Sequence, residues 1–265
     1  CYHENSLLIS SDDEVRRFTP SGQTAVRLPG PYPSQAHSLH MIDGSTFGVA
    51  DTGNSVVRVY STAFEHLTDL APFSDWPQLP DDAVHLNDFA VTPYGIIASC
   101  FDFRPWRAVQ SRFKDRKLWS TSGMGVLINI SDGHGAGRLV GYGLNHPHTL
   151  LFSDQQLFNC SSSQGIFHSW TFNESGTLRS SKNIPVTQDH FLRGACRSGG
   201  KWYLGGSTAR HNMAASRNMA VYRVNESSGT IERRPLPTTG EIYDIVPWNE
   251  DIMEPIIKAT LGNDQ

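Results

Sequence analysis

Ala36-His37-Ser38-Leu39, Leu86-Asn87-Asp88-Phe89, Pro147-His148-Thr149-Leu150, Leu192-Arg193-Gly194-Ala195 and Ile242-Tyr243-Asp244-Ile245 are five statements of one phrase. In each, a polar residue stands near the start of a short run of strand-forming residues. The marked positions His37, Asn87, His148, Arg193 and Tyr243 are spaced by 50, 61, 45 and 50 residues. That period suits four-stranded blades arrayed around an axis and is too short for separate domains. About eleven or twelve residues after each of the first four, an apolar run ends in small residues, at Phe47 to Asp51, Ile96 to Cys100, Leu157 to Ser161 and Tyr203 to Ser207. The spacing fits a tight hairpin to a second strand. Third strands follow at Ser55 to Tyr60, Gly123 to Ile130, Gly165 to Phe172 and Met219 to Val224, with the period-2 alternation of a half-buried strand.

The fold predicted is all-β, a five-bladed β-propeller in one domain over residues 1–265, with a lid insertion at about 101–122. Glu241 to Pro247 reads as an inner strand that lacks second and third partners after it. Leu7 to Ser11 and Glu14 to Phe18 match those missing strands, so the N-terminal strands are expected to pair with the C-terminal inner strand and close the ring. The segment after Trp248 finds no place in this scheme.

Composition sets limits. A chain of 265 residues with 23 Gly, 15 Pro and 18% charged residues is within the range of one large all-β domain. No apolar stretch approaches the ~20 residues of a membrane-spanning helix, and a net charge of −4 argues against a general nucleic-acid surface. Four scattered cysteines do not make a disulfide framework; read as buried thiols, they point to a reducing, cytoplasmic compartment. Four Asn-x-Ser acceptors, at Asn129, Asn159, Asn173 and Asn225, and a first residue other than Met leave secretion open.

The ordered set His85-Leu86-Asn87-Asp88, Pro147-His148-Thr149, Leu192-Arg193-Gly194 and Ile242-Tyr243-Asp244 resembles a bacterial family of conserved hypothetical propeller proteins whose members carry HLNG, PHS, RG and LYD phrases. Trp106-Arg107 ahead of Gly123-Met124-Gly125-Val126-Leu127-Ile128 is similar to that family's Trp-Arg followed by a Gly-Gly-Val-Leu-Ile strand. The resemblance runs from His37 to Trp248. It implies a propeller and supplies no reaction. The family carries a further blade near its N-terminus for which this sequence shows no counterpart. A more distant likeness to gluconolactonase-type propellers fails on chemistry, because the carboxylates expected for their divalent metal do not stand at the marked positions.

Equivalent positions on successive inner strands face one channel, so His37, Asn87, His148, Arg193 and Tyr243 should form a ring. Residues two earlier lie on the same strand face, giving a second tier of Gln35, His85, His146, Phe191 and Glu241. Two readings of the histidines stand side by side. His37, His85, His146 and His148, with Glu241, are of the right type to hold a divalent metal; equally, they can line a wet channel. No nucleotide-binding motif is present, so no nucleotide cofactor is expected.

Arg193 lacks a carboxylate partner within the first tier, and an unpaired guanidinium in a partly desolvated channel is costly. Either a small anionic molecule or sugar derivative completes it, or Glu241 does. The insertion at 101–122, with Trp106, Arg107 and five further Lys or Arg residues, and the loop from Thr208 to Asn218, with Arg210, are expected to overhang the same mouth and add positive charge. His40, His168 and His211 fall outside the pattern and read as surface or structural.

Substrate-binding candidates are therefore Asn87, Arg193, His85, His146, Trp106, Arg107 and Arg210. His37 and His148 suit general acid-base work, with Tyr243 as a supporting proton donor. No nucleophile elbow, phosphate-binding loop or pair of ring carboxylates is present. A lyase, isomerase, cyclase or metal-assisted hydrolase fits these residues better than redox or acyl-transfer chemistry. A non-catalytic binding propeller would use the same ring, and a protein-interaction scaffold would leave the channel to water.

Overall fold

A computed structural model describes residues 1–30, 34–72, 82, 84–101, 124–131, 137–208 and 218–262, with side chains through 259. The described residues form five four-stranded antiparallel sheets, the five blades of a propeller. The first blade contains β1 (Tyr2–His3), β2 (Ser6–Ser11), β3 (Glu14–Thr19) and β4 (Gly22–Arg27). The second contains β5 (Ala36–Met41), β6 (Thr46–Asp51), β7 (Val56–Ser61) and β8 (His66–Leu70). The third contains β9 (Leu86–Thr92), β10 (Gly95–Cys100), β11 (Gly125–Asn129) and β12 (Arg138–Leu144). The fourth contains β13 (Pro147–Ser153), β14 (Gln156–Ser161), β15 (Ile166–Phe172) and β16 (Leu178–Pro185). The fifth contains β17 (His190–Ser198), β18 (Lys201–Thr208), β19 (Ala220–Val224) and β20 (Ile231–Pro235).

The apolar core lies between adjacent blades. Leu8 and Val15 of the first blade meet Leu39, Phe47 and Val49 of the second. Ala50 and Val57 meet Phe89, Ala98 and Val126 across the next seam. Leu127 and Val140 meet Leu150, Leu157 and Trp170, and Phe158 and Phe167 meet Trp202, Leu204 and Tyr222. The second and third strands of the second, third and fourth blades are thus buried on both faces, more completely than the alternation of a half-buried strand implies. Cys100 and Cys160 belong to these seams; burial pushes the first thiol up and the second up to about 12, so neither is a ready thiolate.

Ring closure differs from the sequence expectation in its pairing. Leu7 to Ser11 and Glu14 to Phe18 do supply the second and third strands of a blade, but the partner on the inner edge of β2 is β1, with Tyr2 opposite Leu7. Cys1 extends that pairing, since Leu8 N donates to Cys1 O at 2.8 Å and the amino group of Cys1 to Leu8 O at 2.8 Å. A strand edge offers one ladder of donors and acceptors, and β1 occupies this one. Residues 241–247 are accordingly not a strand. They run beside β18, where Ile242 N donates to Ser207 Oγ at 2.8 Å and Thr208 N to Gly240 O at 3.0 Å.

The segment beyond Trp248, unplaced in the sequence, is helix α1 (Glu250–Gly262), packed against β2 and β3. Its acidic first turn, Glu250 and Asp251, suits the positive end of the helix dipole. Ile252 and Ile256, one turn apart, are its buried residues, and Pro255 is accommodated between them at the cost of one backbone donor. No helix among the described residues is long and apolar enough to cross a membrane. Ile256→Ala is expected to lower unfolding free energy by about 2–4 kcal/mol, measured by urea denaturation, whereas Lys258→Ala on the exposed side of α1 should stay within about 0.5 kcal/mol.

Candidate functional site

Each inner strand carries its marked residue at a break in pairing. The register shifts between Ala36 and Ser38, between His148 and Leu150, and between Arg193 and Ala195. These are β-bulges, which re-aim a side chain out of the regular pleat. At the last two, the residue after the ring position has a left-handed backbone, Thr149 at φ 58° and Gly194 at φ 65°. Gly194 is required by space as well: a Cβ there would stand 2.8 Å from the Asp244 backbone.

The expected ring assembles. His37, Asn87, His148 and Tyr243 line one small cavity of about 20 Å³. The Arg193 guanidinium carbon lies 5.2 Å from the Tyr243 ring centre and 4.9 Å from that of Phe191, and the His37 and Tyr243 rings are 6.1 Å apart. Tyr243 thus fills the fifth place between Arg193 and His37 although its segment is not a strand. Above the cavity opens a funnel of about 420 Å³, lined by Gln35, His37, His85, Arg193 and Tyr243 together with Ser10, Ser11 and Asp12 from the first blade. That volume is in the range of small-molecule sites.

The side chains are held by a repeated clasp. The residue following the second strand, Thr52 or Ser162, stands fourteen or fifteen positions after its ring histidine. Thr52 Oγ1 donates to Leu86 O, and Ser162 Oγ donates to Leu192 O at 2.6 Å, each reaching the next blade. A hydroxyl has one proton, so each oxygen can only accept from its histidine: His37 Nδ1 at 2.9 Å and His148 Nδ1 at 2.8 Å. The same Nδ1 atoms face Gln35 O at 3.1 Å and His146 O at 2.9 Å. In its neutral form each imidazole is therefore Nδ1-protonated, and Nε2 is the acceptor nitrogen. Ser207 repeats the clasp on Ile242, and Asn87 Nδ2 repeats the donation to a carbonyl, His85 O, at 3.1 Å. Burial holds the His148 imidazole well below its ordinary value, with the Arg193 charge adding to the effect.

In the third blade the clasp position is occupied by Phe101, whose ring centre lies 4.3 Å from His85, 4.6 Å from His146 and 5.2 Å from His148. With Phe191 it forms an apolar wall beside the histidines. This corrects the four-histidine funnel. His37 and His85 pair at 5.5 Å, His146 packs on Phe101 and Phe191, and His85 and His146 sit in left-handed backbone, φ 48° and 51°. Among the described residues no three His, Cys, Asp or Glu side chains converge to hold a metal ion. His85 Nδ1 is instead engaged by the Asp82 carboxylate at 2.8 and 2.9 Å.

Arg193 is completed from within. Its Nη1 donates to Glu241 Oε2 at 2.8 Å, with the two side chains 7% and 19% exposed. Of the two partners the sequence left open, the carboxylate of the second tier is the one in contact. Trp106, Arg107 and Arg210, and the lid beyond Phe101, lie outside the described residues.

His40, read as surface or structural, closes the lower end of the cavity. Its Nε2 meets Asp88 Oδ1 at 2.8 Å, and Asp88 Oδ2 accepts Leu150 N at 2.8 Å, so one carboxylate ties three blades. Burial alone would lower the His40 imidazole, but the Asp88 charge and hydrogen bond outweigh it and the net shift is upward.

No family model matches this chain, and no curated protein does. Solved propeller structures do. Virginiamycin B lyase from Staphylococcus aureus superposes with a TM-score of 0.54 at 14% identity, over 88% of this chain and 67% of that one. A luciferin-regenerating enzyme gives 0.57 at 9% identity, over 86% and 71%. Regucalcin from Agrobacterium tumefaciens, a calcium-binding protein, gives 0.55 at 16% identity, over 85% and 68%. At such identities the likeness is one of fold, and the protein is a five-bladed β-propeller.

The two imidazoles respond oppositely to pH. His148, lowered in the fold, must take up a proton in the unfolded chain first, so stability falls as pH drops below the ordinary imidazole value of about 6.5. His40, raised in the fold, contributes stability that is full below that value and lost as pH rises through its folded value. Melting temperature followed from acid to mildly alkaline pH should therefore fall less on acidification in His148→Gln than in the wild type. In His40→Gln the alkaline loss should be smaller.

Proposed function

We propose that this propeller is an enzyme acting on a small polar molecule held in the funnel, with His148 as proton acceptor, His37 as its acid-base partner and Tyr243 as a supporting proton donor. The observation that carries this reading is the state of His148: buried, held neutral, fixed as one tautomer by Ser162 and His146, and presenting a buried Nε2 that has no hydrogen-bond partner among the described residues. A neutral imidazole locked in this way is a general base prepared for use, because no reorganisation is needed before it takes a proton. His37 carries the equivalent lock and lines both cavity and funnel, as does Tyr243. Proton-transfer chemistry of the lyase, isomerase, cyclase or hydrolase kind follows from such a pair. An acidic or sugar-derived substrate is compatible with Arg193 provided its anionic group competes with Glu241.

Purified protein incubated with a panel of small lactones, esters, hydroxy acids and sugar phosphates, with products followed by mass spectrometry, tests the reading. Turnover of at least one compound is expected, and His148→Gln should cut kcat about 10²–10⁴-fold with little change in KM. The rate should fall as pH falls through the lowered His148 value, since the protonated ring accepts nothing. A panel left untouched, or turnover indifferent to His148→Gln, would point to a binding propeller. In Glu241→Gln, with the carboxylate charge beside Arg193 removed, inorganic phosphate should bind about tenfold more tightly than in the wild type; unchanged binding would remove Arg193 as an anion anchor.

A further inference from the structure

Two buried acceptors of the ring have no hydrogen bond among the described residues: Nε2 of His148 and Oδ1 of Asn87. The residues are 5% and 2% exposed and stand on the adjacent inner strands β13 and β9. Each is oriented from its far side. Asn87 Nδ2 donates to His85 O, which directs Oδ1 away from that carbonyl, and His148 Nδ1 is held by His146 O and Ser162 Oγ. Both side chains line the small cavity beneath His37 and Tyr243. Its volume of about 20 Å³ suits one water and nothing larger. A buried acceptor left dry is costly, and a water carries two donors for these two acceptors.

We propose that this cavity holds one ordered water, donating to His148 Nε2 and Asn87 Oδ1, and that this water is the co-substrate of a hydrolysis. The role rests on the reading of His148 as a base and narrows it to one reaction class. His148 Nε2 takes one proton from the water as its oxygen bonds to the carbonyl carbon of an ester or lactone seated in the funnel over His37 and Tyr243. The tetrahedral intermediate then collapses, the bond from carbon to the leaving oxygen breaks, and the His148 imidazolium returns its proton to that oxygen. One water is added, and nothing is oxidised or reduced. Asn87 touches only the water and acts as a positioning residue.

The ester and lactone members of the panel are run in oxygen-18 water, alongside a high-resolution crystal structure of the full chain. The proposal expects one oxygen-18 in the acid product and a density peak within hydrogen-bond distance of both His148 Nε2 and Asn87 Oδ1. It also expects Asn87→Leu to lower kcat about tenfold or more, with KM and the acid limb of the pH profile unchanged. Should Asn87→Leu fail to fold, Asn87→Ser serves, since its shorter side chain withdraws the acceptor. Turnover without label overturns the hydrolytic role and leaves proton transfer by His148 standing. Absence of a peak at the two acceptors, or a metal ion there, overturns the site. A peak with the whole panel inert leaves a structural water and overturns the proposal together with the enzymatic reading.

Discussion

A single hydroxyl group at the end of each of three second strands ties the propeller together and sets its chemistry. Thr52 and Ser162 bond the inner strand of the following blade, at Leu86 O and Leu192 O, and Ser207 bonds the closing segment at Ile242 O. These side chains are buried, and losing such a donor costs about 1–3 kcal/mol. Because the one proton is spent on the carbonyl, the oxygens of Thr52 and Ser162 must receive from their ring histidines, His37 and His148, while Ser207, whose blade carries Arg193 in the ring, receives from Ile242 N. Blade cohesion and imidazole tautomer are therefore two results of one hydrogen bond, and a change that loosens one alters the other.

Much of this was legible in the sequence, for reasons that can be located. The second strands announce themselves because most of their residues are buried and they repeat at a fixed period; β6, β10, β14 and β18 coincide closely with the apolar runs. The fourth strands β8 and β20 are mostly exposed and carry no apolar pattern to find. Helix α1 had its signal in Ile252 and Ile256, but Pro255 between them argues against a helix on local grounds, and only packing on β2 and β3 overrides it. The closing pair has no sequence signal because β1 is two residues long, too short for any periodicity.

In the site, ring membership was legible because one position per period decides it. Distances between rings were not. Phe101 follows the apolar run that ends at Cys100 and reads as the first residue of the insertion, and nothing local says that it replaces a hydroxyl beside the histidines. The clasp residues carry a signal of their own: Thr52, Phe101, Ser162 and Ser207 recur fourteen or fifteen positions after the ring residue, the same regularity that reveals the ring. Arg193 illustrates the limit of reasoning from charge alone. Its need for a carboxylate followed from desolvation, but whether Glu241 or a ligand would meet that need depends on where a segment outside any strand places Glu241.

The locked, neutral state of His148 is the point on which the functional reading turns, and long-range proton–nitrogen NMR of histidine labelled with nitrogen-15 observes it directly. At about pH 7, the expected spectrum has the His148 proton on Nδ1, facing His146 O and Ser162 Oγ, and a bare Nε2. A proton on Nε2, or an imidazolium, would contradict it.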